Sequence, residues 1–386
     1  MAYTRTSIED SSRRMRRLGA ALLSAMVATA SAAQPCDGQS QLKIDLQANL
    51  VVGDENGANF GALLHVAVNS RGMIYVGDFM NTNVLVFSAD GALRDTIGRR
   101  GHGPGEFTAI HDVLAGRGDS VYIYDRNATR LSVYSGAASQ SHALAYTLQP
   151  QSDGLGRPFQ PLIPSDSRAG YLFAFRQAAS GTLSVHRTNR EGAVDDRPIL
   201  RGMTGEAKVN VRQAGGSVEV VRTSPLFGRV PVLGITVADE VYYGWTEAID
   251  LTFFDLTGRQ KSIFRADSRP IPVTARDIEF SLEGASEARR RMLSGAEHAK
   301  TKPAVHTVII DDESRIWTGR FTRDPERSEW WVTLDHGRGE SAIFSLPSNV
   351  EIQVVRNGHA YAVSVDEAGA PTVVRYRVTI SSQGAK

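Results

Sequence analysis

Three of the nine histidines in this sequence lie at nearly the same distance before an aromatic residue. The pairs are His65 and Tyr75, ten residues apart, and His111 with Tyr122 and His306 with Trp317, each eleven residues apart. Three imidazoles can hold Zn²⁺ and leave its fourth tetrahedral position open for water or substrate, as catalytic zinc requires. The three histidines therefore predict a metal site, with zinc as the candidate cofactor, if the fold makes them converge.

Other chemistry is poorly represented. No GxSxG, Walker or dinucleotide-binding loop occurs between a strand and a helix, so no catalytic residue can be named. Asp311, Asp312 and Glu313 cluster in one turn, but they lack the Asp-x-Asp-x-Asp-Gly spacing of a calcium loop. We predict that this cluster is a solvated turn.

The elements that would position the histidines are repeats. The segment from Val66 to Gly98 returns from Asp112 onwards with a constant offset of 47 residues. The matched pairs are Tyr75 and Tyr122, Asp78 and Asp125, and Phe87 and Tyr134. A repeat of this length predicts a propeller or a solenoid, in which equivalent residues occupy equivalent positions.

Further copies extend the repeat along the chain. Tyr242 and Phe254 keep the spacing of twelve between the first and last aromatic residue, and fainter copies lie around 171–192, 308–335 and 359–379. Each copy consists of alternating or β-branched runs separated by Gly, Asn and Asp turns, which is typical of antiparallel strands. The sequence thus contains six repeat units.

The unit resembles a known repeat. Its pattern is Gly, then Ile-Tyr-Val-x-Asp, a polar loop, an aliphatic strand that ends in Phe, and an Asp-x-Gly turn; the segment GHGPGEF at 101–107 leads into the next unit. This pattern resembles the NHL repeat of bacterial exported six-bladed β-propellers, most of them of unknown activity. The segment from His111 to Asp125 is also similar to the zinc-ligand strands of peptidyl-hydroxyglycine amidating lyase, a six-bladed NHL enzyme.

The resemblance implies where the histidines lie. Each would stand at the start of the innermost strand of its blade, at the mouth of the central channel, where residues distant in sequence converge. Histidines in this position can also hydrogen-bond channel water or a neighbouring backbone group. Blades one, two and five are not evenly spaced around a ring, so both interpretations stay open.

We predict an all-β, six-bladed β-propeller over residues 34–386, closed by an N-terminal strand. The segment from Leu50 parallels the outer strand from Asp95, and the chain ends just after a third strand near Arg377. An outer strand donated by the N-terminus would complete the last blade. A helical insertion is predicted at about 274–302, before blade five, with Thr274 and Asp277 as a capping box.

Two aspartates are predicted to be structural. Asp78 and Asp125 end the second strand of their blades, with Asn83 and Arg130 five residues later. Such a carboxylate accepts backbone hydrogen bonds in the turn, and we expect the asparagine or arginine to pair with it.

The N-terminus predicts export. Arginines at 13, 14, 16 and 17 precede an apolar run from Leu18 to Ala30 and the small residues up to Ala33, so residues 1–33 are predicted to be a signal peptide and the protein periplasmic or secreted. No other stretch is long enough to span a bilayer, so no transmembrane segment is expected in the mature chain. The net charge of +1 becomes slightly negative without the signal, which argues against nucleic acid as a partner.

Two functions remain. The first is an exported binding module that holds a peptide, glycan or protein ligand on the top face of the propeller. The alternative is a metal-dependent lyase or hydrolase with a three-histidine site at the channel mouth. A purely structural envelope protein would instead lack a channel pocket for a ligand. Fold alone does not distinguish these functions, because propeller loops vary freely over a rigid scaffold.

Overall fold

The computed structural model of the protein describes most of residues 42–382. Its gaps are 54–57, 59, 62, 117–118, 136–140, 166–169, 206, 213–217, 224, 284, 286, 288–289, 291–292, 294–297, 336–339 and 367. The predicted signal peptide lies outside the described residues. Among those that are described, no helix is long and apolar enough to cross a membrane.

The strands follow one another in groups of four. The first strand is β1 (Leu42–Val52), and blade one follows with β2 (Leu63–Val68), β3 (Ile74–Asp78), β4 (Asn83–Phe87) and β5 (Leu93–Ile97). Blade two contains β6 (Ile110–Ala115), β7 (Val121–Asp125), β8 (Arg130–Tyr134) and β9 (Leu144–Leu148). Blade three contains β10 (Arg157–Leu162), β11 (Tyr171–Gln177), β12 (Thr182–Thr188) and β13 (Leu200–Met203).

The second half of the chain repeats this order after a hairpin of β14 (Ala207–Arg212) and β15 (Val218–Thr223). Blade four contains β16 (Pro231–Ile235), β17 (Val241–Trp245), β18 (Ile249–Phe254) and β19 (Gln260–Ala266). Blade five contains β20 (Thr307–Ile310), β21 (Ile316–Phe321), β22 (Arg327–Asp335) and β23 (Glu340–Pro347). Blade six contains β24 (Val350–Arg356), β25 (His359–Val365) and β26 (Pro371–Ser382), with β1 as its fourth strand.

The fold is an all-β propeller, as predicted from the repeat. Each blade is an antiparallel four-stranded sheet, and the innermost strands β20, β24, β2 and β6 contact one another in that order. The hairpin of β14 and β15 was not predicted from the sequence. Its alternating Val-x-Val runs resemble those of the blade strands. The sequence pattern therefore does not distinguish this two-stranded hairpin from two strands of a blade.

Each blade packs against its two neighbouring blades, one on each face. Ile74 and Val76 pack towards blade six, whereas Tyr75 between them packs towards blade two. This alternation follows from the two-residue period of a strand. The buried apolar residues form six clusters among the described residues, one at each interface between neighbouring blades. Each blade therefore depends on both of its neighbours for its core.

The N-terminal strand closes the ring, as the sequence predicted. β1 pairs antiparallel with β26 from Leu42 opposite Ser382 to Val52 opposite Val373. Leu42 also pairs in parallel with Ala342 on β23, which joins blades five and six into one eight-stranded sheet. The closure covers the outer edge of β26, which would otherwise present unpaired backbone groups.

The turn aspartates have the predicted structural role. Asp78 accepts hydrogen bonds from the backbone of Gly61 and Asn81, and Asp125 accepts them from Thr108, Asn127 and Ala128. Each carboxylate thus connects the turn after its strand to the entry into its own blade.

The predicted pairing of Arg130 with Asp125 is wrong. The Arg130 guanidinium donates to the carbonyl oxygens of His102 and Glu106 instead. The turn donors Asn127 and Ala128 occupy one oxygen of Asp125 and Thr108 occupies the other, and the guanidinium binds the loop that leads into the blade.

Asp311 also differs from the prediction of a solvated turn. Its carboxylate is buried and accepts hydrogen bonds from the Trp317 indole at 2.8 Å and from the Arg315 guanidinium at 2.5 Å. Asn69 has the corresponding role in blade one, where its side chain donates to Tyr75. A buried carboxylate is stable here because every oxygen has a donor.

The helical insertion begins as predicted. Helix α1 (Ala275–Ser281) has Thr274 as its N-cap, and Thr274 and Asp277 form the capping box. Asp277 also binds the Lys302 ammonium, with 2.5 Å between Oδ1 and Nζ, and both side chains are buried. This ion pair ties the start of the insertion to its end.

The ring closure generates a prediction about stability. Removing β1, so that the chain starts at Gly53, should lower Tm and promote aggregation, because blade six loses its fourth strand and β26 becomes an exposed edge. Thermal unfolding and light scattering would measure both effects.

A matched pair of substitutions tests the same closure without deletion. Leu46→Asp places a charge on the buried face of β1 and should cost about 3 kcal/mol, whereas Gln47→Asp on its exposed face should have little effect. Equal Tm values for these two variants would contradict the closure.

Candidate functional site

The strand register defines one level of the channel. The innermost strand of each blade pairs with the second strand. In five blades the second strand carries the aromatic residue of the repeat, and the residue two positions after this aromatic residue marks the same level. These aromatic residues are Tyr75, Tyr122, Tyr242, Trp317 and Tyr361. The channel residues paired at that level are His65, Asp112, Val232, Thr307 and Glu351, in blades one, two, four, five and six. In blade three, Gln160 pairs with Ala174 at this level.

The register shows that His65 is not equivalent to His111 and His306, contrary to what the spacing in the sequence suggested. Asp112, Thr307 and Glu351 precede their aromatic residues by ten, as His65 does, whereas His111 and His306 precede theirs by eleven. A shift of one residue in a strand moves a side chain to the other face. His65 is therefore equivalent to Asp112 and Thr307, and not to the two other histidines.

The structure brings His65 and His111 together with Asp112. The Asp112 carboxylate lies between the two rings, 3.2 Å from His65 Nε2 and 3.0 Å from His111 Nδ1. The ring centroids are 5.9 Å apart, and one ligand atom from each of the three residues lies within 4.8 Å of the others. Two imidazoles and a carboxylate are a common donor set for zinc.

Local backbone geometry explains why His111 reaches this cluster. The pairing of β6 with β7 shifts register between Ile110 and Asp112, so His111 occupies a β-bulge. A bulge releases the extra residue from the strict alternation of faces and can re-aim its side chain. Beneath the cluster, the absence of a side chain at Gly77 matters, because a Cβ there would lie 2.8 Å from Val113.

The cluster favours a neutral His65. Burial lowers the pKa of its imidazole; the charge of Asp112 opposes this shift and the neighbouring His111 adds to it. The ring still has 41% of its side-chain surface exposed, since it borders the channel while protein surrounds it on the other sides. The neutral imidazole is the form that binds metals.

His306 has a different environment. Its ring packs edge-on against Phe321 and Trp330, with centroids 5.2 and 5.8 Å away. A Cβ on Gly319 would lie 2.5 Å from His306 Cε1, so the glycine creates the space for this ring. Within the described residues, His306 does not join the group formed by His65, His111 and Asp112.

Sequence reasoning missed Asp112, although a signal for it was present. A strict spacing of ten to the aromatic residue selects His65, Asp112, Val232, Thr307 and Glu351, whereas His111 and His306 lie eleven residues before theirs. At this level blade three contributes Gln160 and blade four contributes Val232, whereas the candidate metal ligands, His65 and Asp112, come from blades one and two.

Comparison with known proteins supports the fold. Residues 59–143, which span blade one and blade two up to β9, match a protein-family model described as a six-bladed β-propeller. A candidate exported protein from Bacteroides fragilis is similar in structure, with a TM-score of 0.51 and 11% identity over 90% of this chain and 98% of that one. At this identity the likeness shows the fold alone.

Two further solved structures are similar to this chain at lower TM-scores. A protein of unknown function from Bacteroides thetaiotaomicron gives a TM-score of 0.48 at 11% identity, covering 88% of this chain and 76% of that chain. Virginiamycin B lyase from Staphylococcus aureus gives 0.44 at 9% identity, covering 88% and 100%. These two carry no argument about function. No curated protein sequence matches the chain.

The environment of His306 predicts an acid-sensitive contribution to stability. Burial lowers the pKa of this imidazole to about 4, whereas an unfolded histidine titrates near its ordinary value of 6.5. Between these values the unfolded chain binds the additional proton, so the free energy of unfolding falls as the pH decreases from about 6.5 to 4. The loss should reach about 3 kcal/mol.

Urea unfolding at a series of pH values checks this prediction. The His306→Gln variant has no titratable ring and should lose about 3 kcal/mol less than the wild type over that range. His102→Gln, at an exposed position, is the control and should behave as the wild type does. Identical pH profiles for His306→Gln and the wild type would refute the assignment.

Proposed function

We propose that the protein is an exported binding module that holds its ligand at the channel mouth of blades one and two, through a divalent transition metal bound by His65, His111 and Asp112. The observation that carries the proposal is the convergence of these three side chains from two blades. Peptides, glycans and protein partners all carry carbonyl, carboxylate or hydroxyl oxygens that could complete the coordination. In this proposal the blades are NHL-type units.

The distances suit a shared ion. Two donors at 2.0 to 2.1 Å from a tetrahedral zinc are separated by about 3.3 Å. The two nitrogen-to-oxygen distances of 3.2 and 3.0 Å are close to this value, so a small separation of the rings would admit the ion. The bulge at His111 provides local freedom for that adjustment.

Metal binding should depend on His65, His111 and Asp112, and it should not depend on His306. One Zn²⁺ per chain should bind, and His65→Ala, His111→Ala or Asp112→Asn should each weaken the affinity by at least about 100-fold, because each removes one of three protein ligands. Isothermal titration calorimetry on protein stripped with EDTA measures this effect.

Two control variants separate the alternatives. His306→Gln should bind zinc as the wild type does, whereas a site built from His65, His111 and His306 would lose its affinity. His102→Ala removes an exposed histidine and corrects for nonspecific binding. Unchanged zinc affinity in His65→Ala would refute the site.

A metal-dependent lyase or hydrolase is the second candidate. It is supported by the number of protein donors, since three ligands leave one tetrahedral position for water. A zinc-bound water can ionise near neutral pH and then act as a nucleophile or a base. In the Co²⁺-substituted protein, this function predicts a visible spectrum that changes with a pKa of about 7, and the change should disappear in Asp112→Asn.

Export is part of the proposal and has its own test. The arginine-rich start, the apolar run and the small residues up to Ala33 support cleavage after Ala32 or Ala33. N-terminal sequencing of protein from the periplasm or the medium should begin at residue 33 or 34. An intact Met1 in the cytoplasmic fraction, or a lipid attached to Cys36, would contradict this cleavage.

A further inference from the structure

A cavity lies beside the channel, separate from the metal cluster. It has a volume of about 370 Å³ and is enclosed by α1 and Lys302 of the insertion, the end of β21 with its following loop, and the inner strands of blades five and six. Sites for small molecules usually measure about 300 to 1,000 Å³, so the cavity suits a compact ligand.

Aromatic rings form its walls. Phe227, Phe280 and Phe321 line the cavity together with His306. The rings of Phe227 and Phe321 meet edge to face with centroids 5.5 Å apart. Three segments contribute these phenylalanines: Phe280 comes from α1, Phe321 from β21, and Phe227 from the chain before β16. The faces of such rings attract cations as well as apolar groups.

One charge in the cavity has no partner in the part of the chain that the structure describes. The Lys302 ammonium is already neutralised by Asp277, and it also donates to the carbonyl of Thr322 at 2.7 Å. Glu351 differs, because among the described residues no hydrogen bond or ion pair reaches its carboxylate. Surrounding protein raises the pKa of Glu351 by desolvation, although the side chain keeps an exposed surface and therefore remains accessible to a ligand.

The remaining charged groups balance one another. Asp324 and Arg327 stand exposed at the rim and have opposite charges. The Arg327 guanidinium donates to the Ser345 hydroxyl at 3.1 Å. The lining therefore carries one uncompensated negative charge, at Glu351, which stands on the same channel level as His65 and Asp112.

We propose that this cavity is a second binding site, which takes a small organic cation with an aromatic or apolar group. The three phenylalanine rings would hold the apolar group, and Glu351 would be the counter-ion of the cation. An unpaired carboxylate among aromatic rings is better stabilised by a cation than by a neutral or anionic ligand. The proposal does not depend on the metal cluster, because none of its three residues lines the cavity.

Three probes of nearly the same shape test the charge preference. Phenethylammonium is the cation, 2-phenylethanol the neutral match and phenylacetate the anion. Calorimetry on EDTA-treated protein should show that phenethylammonium binds at least tenfold more tightly than the alcohol, and that phenylacetate binds more weakly than both. Absence of phenethylammonium binding, or equal affinity for the cation and the alcohol, would overturn the proposal.

Substitutions of cavity residues test whether the preference for the cation arises in this cavity. Glu351→Gln should abolish the difference between cation and alcohol, while Glu191→Gln, an exposed carboxylate on blade three, should retain it. Phe280→Ala should weaken the cation and the alcohol alike, because it removes a wall without changing the charge. A preference that persists in folded Glu351→Gln would refute the role of this carboxylate. His65→Ala should leave the affinity for phenethylammonium unchanged, which separates this site from the metal cluster.

Discussion

Apolar packing between neighbouring blades is the interaction on which the rest of the structure depends. Each blade presents two apolar faces and can bury both of them only between two neighbours, as Tyr75 and Ile74 show for blade one. A ring satisfies this requirement for every blade, whereas an open row would leave two faces exposed to water. The same packing fixes the inner strands around the channel, so the positions of His65, Asp112 and Glu351 follow from it.

The sequence predicted the elements that repeat or that local contacts define, and it did not predict the hairpin of β14 and β15. Strand alternation and Gly or Asp turns identify the blades, and the parallel between the segments from Leu50 and Asp95 identifies the closing strand. Helix capping was also predictable, because the Thr274 and Asp277 box is a purely local interaction. These features depend on neighbours in sequence or on the period of the repeat, and both are visible in one chain.

The candidate site was only partly predictable, because it depends on strand pairing and packing that are not visible in the sequence. Whether His111 or Asp112 faces the channel depends on a single bulge in β6, and spacing alone does not show where a strand absorbs an extra residue. The failures at Arg130 and Asp311 have a related cause. Their partners, the carbonyl of His102 and the indole of Trp317, are selected by packing between strands and loops.

The pairing of β1 with β26 also has a consequence for the order of folding. Leu42 and Ser382 are about 340 residues apart in sequence, so this contact has one of the longest separations that the chain allows. Contacts of such separation form slowly, because the loop between them must be closed before the pairing contributes stability. Until β26 is available, Val66, Val68 and Ile74 of blade one lack the residues of blade six that cover them. We therefore expect the seam to form late, and until it closes the uncovered face of blade one is open to proteases and to association with other unfolded chains.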